Sequence, residues 1–400
     1  MTNQPILHNI RILDFSWVLA GPYATRILAD FGAEVLKVQP LLPEAEDKFS
    51  RGYYNTWNRN KRGITLNLGK PQGIALAKRL VGISDAVVEN FTPRVMANWG
   101  LDYGSLKKIK PDIVMLSLST MGNTGPWRDY AGFGPTIQAF SGITYLTSFP
   151  GKPPLGLGTS YADHIAGLLA CFALLGALEY RRRTGEGQYI DVSQVEAMAS
   201  LLGSAILEYM VDGGEVEPVG NGSTEAAPHG VYRCRGDDRW CALAVFTDEE
   251  WQGFKRALGN PPWAENRKFA TLTGRLKHSE ELNRLVEGWT KKRTAEEVMA
   301  LLQGQGVAAG VVQDASDLAN DPQLRERGFF IELDHPELGK TISDAVPIRL
   351  SDTPAIRLSD TPARYTRAAP VLGQDNDYVY GKLLGLSRDE LTELKKQGII

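Results

Sequence analysis

Asp163 and His164 stand together at the entrance of a long apolar stretch, "ADHIAGLLACFALLGALEY", which stays almost free of charge until Arg181–Arg183. A carboxylate there has two readings. It can cap the helix by accepting hydrogen bonds from free N–H groups of the first turn. Partly stripped of water and turned toward a cleft, it can instead act as a nucleophile toward an activated carbonyl. The two are compatible, because a helix N-terminus also stabilises an anion. Consecutive side chains on a helix diverge by about 100°. His164 is therefore expected to pack or touch substrate rather than exchange a proton with Asp163.

Other chemistries lack their residues. The chain has no GxxxxGK[ST] run, and the first strand leads into "SWVLAGP" instead of GxGxxG, which removes Walker ATPases and ordinary NAD dehydrogenases. The turn at Gly21-Pro22 is expected to be simply tight, with anion binding as its functional alternative. No GxSxG elbow is present. His164 and His229 lack HxxE, HxH or HExxH spacing, so no metal site is expected. Cys171, Cys234 and Cys241 are few, odd in number and without a CxxC pair, which points to a reducing cytoplasm. "NRNKRG" (Asn58–Gly63) concentrates three cations, expected as solvated surface, with contact to a phosphate-rich ligand as the alternative.

The elements that must carry these residues follow from patterning. Short apolar strands alternate with helical stretches over the first hundred and twenty residues. "IRILDF" (Ile10–Phe15) leads through a loop into "YATRILADFG", and "AEVLKVQ" returns as a strand. "DAVVEN", the helices "TPRVMANWG" and "YGSLKKIK", and "DIVMLSLS" repeat the scheme. Such alternation predicts a Rossmann-like, doubly wound parallel α/β sheet with a ligand crevice at the strand C-termini. The texture changes near Ala226. A hairpin in "GVYRCRGDDRWCALAVF", a helix capped by Thr247 or Asp248, two further helices and the strand "VAAGVVQ" predict a smaller α+β domain. The expected division is 1–205 for the large domain, 206–225 for a linker, 226–325 for the small domain and 326–400 for a return to the large one. "IRLSDTPA" occurs twice in tandem, at Ile348–Ala355 and Ile356–Ala363, and reads as a lengthened surface connection.

With 400 residues, 43% hydrophobic, 23% charged and a net charge of −3, the chain has ample material for a large core and no general attraction to nucleic acid or anionic membrane. No signal peptide is read at the N-terminus, and Ile165–Leu178 is too short for a membrane span.

Five segments, "RILDFSWVLAGPYATRILADFGAEVLKVQ", "NRNKRGITLNL", "VVENFTPRVMANWGLDY", "YADHIAGLLACFALLGALEYRRRTGEGQYIDVS" and "DPQLRERGFF", occur in this order before a final "APVLGQDNDYV". Together they resemble the class III CoA-transferases, the formyl-CoA and carnitine CoA-transferase group, over nearly the whole chain. The resemblance implies a large α/β domain built from both chain ends, a small inserted domain and an intertwined dimer. It implies that Asp163 is the nucleophile and that Val18, Ala20, Leu66, Asn90 and Phe91 contact CoA. Leu19, Pro40 and Gly69 depart from the formyl-CoA enzymes, with Lys70 adjacent to the last. The implied reaction moves CoA from an acyl-CoA such as succinyl-CoA to another acid, a dicarboxylate or an aryl-substituted succinate, through aspartyl anhydride and aspartyl-CoA thioester intermediates. It needs no metal; coenzyme A enters as a substrate. α-Methylacyl-CoA racemases are similar over much of the chain but use a His/Asp pair, and Phe133 occupies the place of their His. A racemase, or a non-catalytic CoA-binding subunit of a heteromer with a paralogous chain, stays open as an alternative.

Overall fold

The computed structural model describes residues 4–42, 48–348 and 361–400. Residues 349–360 of the tandem repeat therefore lie outside the described residues. Two compact units are formed, one by 1–144, 156–214 and 324–400, the other by 145–155 and 215–323.

The first unit is built on a six-stranded parallel sheet. Its strands are β1 (Arg11–Asp14), β2 (Glu34–Gln39), β3 (Arg62–Thr65), β4 (Ala86–Glu89), β5 (Val114–Ser119) and β6 (Tyr189–Ser193), in the order β3-β2-β1-β4-β5-β6. β4 and β5 are buried along their whole length, as expected of parallel strands covered on both faces. Successive residues feed opposite cores. Leu13, Leu36, Val87 and Met115 pack with Tyr380, Ile399 and Ile400 from the C-terminal segment. Ile12, Val35, Val88 and Leu116 pack with α1 (Ala20–Asp30) and with Ala166, Ala170 and Leu174 of a long helix, Tyr161–Thr184. Both chain ends thus complete one core.

The long helix has 24 residues and exceeds the short apolar run expected from the sequence. By length and composition alone it could cross a membrane, but half of its most apolar stretch is buried inside the fold. It reads as a core helix that leaves one face uncovered. Residues 206–212, expected within a linker, instead complete a helix, Gly203–Asp212, none of whose residues is buried. The apolar run "AILEYMV" is helical by composition, and the following glycine pair ends it.

In the second unit β7 (His229–Arg233), β8 (Trp240–Ala244) and β9 (Ala308–Val311) form an antiparallel sheet. Thr247, not Asp248, caps the helix Asp248–Ala257, with Glu250 completing a capping box. Trp251, Phe254, Phe269 and Val286 fill that unit's core.

Candidate active site

The strand order reverses direction between β1 and β4, so the loops following these strands diverge and open a crevice at the C-terminal edge of the sheet. Asn90, just after β4, ties the two loops together. Its Oδ1 accepts from the Trp17 N–H at 2.8 Å and its Nδ2 donates to the Trp17 carbonyl at 2.9 Å. Between Trp17 and α1 the backbone is forced into the left-handed region at Val18, φ 60°. A β-branched residue there is strained, as is common where a loop is shaped for a ligand. Gly21 permits the loop to fold back, since a Cβ at that position would meet the Ser16 Cβ at 2.3 Å.

A buried charge cluster anchors this loop from below. Asp14, the last residue of β1, accepts from Ser16 N at 2.9 Å, Ser16 Oγ at 2.5 Å, Thr25 Oγ1 at 2.6 Å and Lys61 Nζ at 3.1 Å. Lys37 Nζ lies 3.6 Å away. Burial pushes the Asp14 carboxyl up, but Lys37, Lys61 and the two hydroxyls hold it well below the usual carboxylate range. Burial also depresses Lys61 to about 7, against the pull of Asp14.

This cluster corrects the expectation for "NRNKRG". Its cations are neither solvated surface nor free for a phosphate. Arg59 pairs with Asp30 at 2.6 Å and with Asp344 at 3.1 Å, while Lys61 is held by Asp14 and the Pro22 carbonyl. Arg62 bonds Glu34 and Asp375 and lies over the Tyr378 ring. Lys70 is exposed and donates to the Gln397 carbonyl.

Asp163 does not cap its own helix. The helix begins at Tyr161 behind Ser160, so Asp163 is its third residue. Burial pushes its carboxyl up to about 6; His164 and the backbone N–H groups of Asp163 and Ala20 act the other way. Ala20, itself fully buried, opens α1, so two helix N-termini face this anion. Among the described residues no lysine or arginine acts on it. His164 turns aside. Its Nδ1 lies 2.8 Å from the Ser160 carbonyl, and its ring packs edge-on to Tyr23 and Trp57.

Gly134, at the start of the helix Gly134–Phe140, forms the wall against Asp163, since a Cβ there would fall 2.9 Å from Asp163 Oδ2. Gly134→Ala is therefore expected to displace the carboxylate. Misplacement of a reacting group by about 1 Å costs on the order of 100-fold in rate. Turnover should fall on that scale with the melting temperature little changed; unchanged turnover would remove Gly134 from the site.

Two cavities meet at this crevice, and Trp17 and Phe91 line both. The larger, about 770 Å³, is lined by Phe15, Pro40, Leu66, Asn67, Gly69 and Trp99, among others. The smaller, about 200 Å³, holds Asp163 together with Val18, Asn90, Arg128, Phe133 and Gln194. The sequence-selected residues thus gather on one edge: Asp163, Val18 and Asn90 in the small cavity, Leu66 in the large one, Phe91 in both. Ala20 lines neither and offers only its N–H. Phe91 sits between Trp17 and Trp99, with ring centroids 6.3 and 5.6 Å away. Its N–H donates to Glu89 Oε2 at 2.8 Å. Burial raises that carboxyl to about 7. Glu89 and Gln194 were not selected from sequence; a carboxylate ending the apolar strand "AVVE" is the one signal that could have been read.

With this geometry in place, comparison with known proteins decides the family. CoA-transferase family III matches the chain over residues 7–376. The chain belongs to CoA-transferase family III. A succinyl-CoA–D-citramalate CoA-transferase of Chloroflexus aurantiacus is 36% identical over 98% of both chains. The alpha subunit of a succinyl-CoA–L-malate CoA-transferase from Chloroflexus aurantiacus is 34% identical, over 98% of this chain and 92% of that one. The crystal structure of a CAIB/BAIF family protein from Brucella suis superposes with a TM-score of 0.85 at 29% identity, covering 95% of this chain and all of that one. Family III CoA-transferases use CoA thioesters as substrates. Among the described residues no group of three His, Cys, Asp or Glu side chains is placed to hold a metal ion.

Proposed function

We propose that this family III CoA-transferase moves CoA from succinyl-CoA to a second carboxylic acid through covalent intermediates on Asp163. The observation that carries the reading is a half-buried carboxylate, unpaired with any lysine or arginine among the described residues, in the smaller of two adjoining cavities. A carboxylate held by an Arg or Lys would be a poor nucleophile; one raised toward neutrality by burial stays reactive while ionised near pH 7.

An Asp163 oxygen attacks the thioester carbonyl, the C–S bond breaks, and CoA leaves as thiolate from an acyl-aspartyl anhydride. The thiolate then attacks the aspartyl carbonyl and releases the donor acid as a carboxylate. The resulting aspartyl-CoA thioester is attacked by the acceptor carboxylate, and the thiolate returns to the acceptor's acyl carbon. Asp163 is regenerated, with no net proton or electron transfer. The Ala20 N–H beside the carboxyl is a donor for the oxyanions formed at the aspartyl carbonyl, a contribution worth ~100-fold or more. Val18, Leu66, Asn90 and Phe91 contact CoA in this reading, with the larger cavity taking the body of the cofactor-sized substrate. Phe133 lines the wall where a racemase needs a second base, which supports transfer over racemisation.

The CoA-transferase also self-associates in this reading, as an intertwined dimer or with a paralogous chain. Leu168, Phe172 and Leu175 form an exposed stripe at helical spacing on the long helix, with Phe172 77% exposed. Leu207, Met210 and Val211 are exposed on Gly203–Asp212. Contiguous apolar surface of this kind marks an interaction site. The second unit is the small domain inserted into the first. Three buried, free cysteines fit a reducing, cytoplasmic setting.

The test is to incubate the purified protein with succinyl-CoA and a set of acids and to record both thioester products and intact protein mass. New thioesters, a CoA adduct on Asp163 and a native mass of twice the chain are expected. Exchange that persists in Asp163→Ala would sink the mechanism.

A further inference from the structure

Two residues that line the small cavity each carry a buried polar atom with no partner among the described residues. Ser119 ends β5, and Gln194 follows β6 directly; the sheet register pairs Ser119 with Ser193 and so brings Gln194 beside it. Both side chains line the cavity that contains Asp163. Ser119 is 5% and Gln194 6% exposed. Ser119 Oγ and Gln194 Oε1 nevertheless make no hydrogen bond among the described residues. Their polar neighbours are engaged. Ser117 bonds Glu89, Thr120 Oγ1 donates to the Gly132 carbonyl at 3.4 Å, and Ser193 Oγ donates to the Thr120 carbonyl at 3.4 Å. Buried polar groups are rarely left unpaired, and each exception in a folded protein calls for a physical explanation.

The missing partner has a definite chemistry. Gln194 Oε1 can only accept, and an ionised carboxylate can only accept, so a second carboxylate on the substrate does not satisfy it. A hydroxyl donates and accepts at once. One substrate hydroxyl can give its hydrogen to Gln194 Oε1 while taking one from Ser119 Oγ. The cavity, about 200 Å³, suits an acid of a few carbons.

We propose that Ser119 and Gln194 are the specificity-determining pair of this site, selecting an acid that carries a hydroxyl group near its reacting carboxylate. The inference rests on the transfer reading above. A site built to hydrogen-bond a substrate hydroxyl discriminates strongly against the analogue that lacks it, because its own polar groups are then left unpaired.

Malate and succinate differ by that one hydroxyl, which gives the experiment. With succinyl-CoA as donor, kcat/KM is measured for each malate enantiomer and for isotopically labelled succinate, in the wild type and in Ser119→Ala and Gln194→Leu. The wild type is expected to favour one malate over succinate, and each variant to reduce that ratio by about ten-fold or more. A preference for succinate in the wild type, or a ratio that neither variant changes, overturns the inference while labelled exchange shows transfer itself to be intact. Absence of exchange with every acid would overturn the transfer reading and this inference together. Circular dichroism of both variants and their CoA binding separate a lost contact from a lost fold.

Discussion

Asp163→Asn is expected to lower CoA exchange by on the order of 10⁴-fold or more, the scale on which removal of a covalent nucleophile acts, and at the same time to make the protein more stable. The two effects share a cause. The folded carboxyl titrates near 6 against an ordinary 3.8, because burial disfavours its charge more than His164 and the two backbone N–H groups favour it. That difference corresponds to ~3 kcal/mol at most. A group whose folded pKa is raised stabilises the fold fully below its unfolded pKa and loses that contribution as pH rises through the folded value. Wild type should therefore lose stability relative to Asp163→Asn between about pH 4 and 6, with the gap constant above. On the proposed mechanism, wild-type exchange should fall as pH drops through about 6, where Asp163 becomes protonated. Urea midpoints for both proteins at pH 4.5 and 8, beside the pH–rate profile, check all three. Equal midpoints at pH 8 would mean that the carboxyl is not destabilised by its site.

Asp14→Ala is expected to cost ~3–5 kcal/mol, the usual cost of removing one partner of a buried ion pair. Asp14 and Lys61 are both 0% exposed, and Lys37 Nζ has no hydrogen-bond partner of its own among the described residues. Without Asp14 the two buried amines lose their only shared counter-charge, and Ser16 and Thr25 lose their acceptor. Asp14→Asn separates the contributions, since an amide oxygen can still take the Ser16 hydrogen bonds but supplies no charge and leaves an NH2 group facing Thr25 and Lys61. A urea midpoint lowered by less than ~1 kcal/mol equivalent in Asp14→Ala would show that Asp14 is not the anchor of the loop. The native carboxylate's pKa lies below its unfolded value. Its stabilisation is present above about pH 4 and is lost only as pH falls through the depressed value.

What sequence could and could not deliver follows from how far each property is local. The buried runs "AVVE" and "VMLSLS" are strands because only a parallel sheet covered on both faces takes continuous apolar residues, so the doubly wound sheet was legible. The capping box at Thr247 and Glu250 is local chemistry and fixed that helix start. Asp163 was legible as a choice between capping and attack; the backbone settled against capping by starting the helix two residues before it. The cations of "NRNKRG" misled because a charge run normally marks solvent. Their partners Asp14, Asp30 and Asp344 come from distant segments, and nothing in the hexapeptide signals them. Ser119 and Gln194 were invisible for the same reason, since their pairing depends on the register of β5 against β6.

The Asn90 clasp on Trp17 has a further consequence. Its two hydrogen bonds join segments 73 residues apart in sequence, and they satisfy both backbone groups of Trp17 with one side chain. Neither loop can lift without breaking both bonds, so the two exchange their amide hydrogens through one shared opening event. The rim of the crevice is therefore tied across both halves of the sheet through this one side chain.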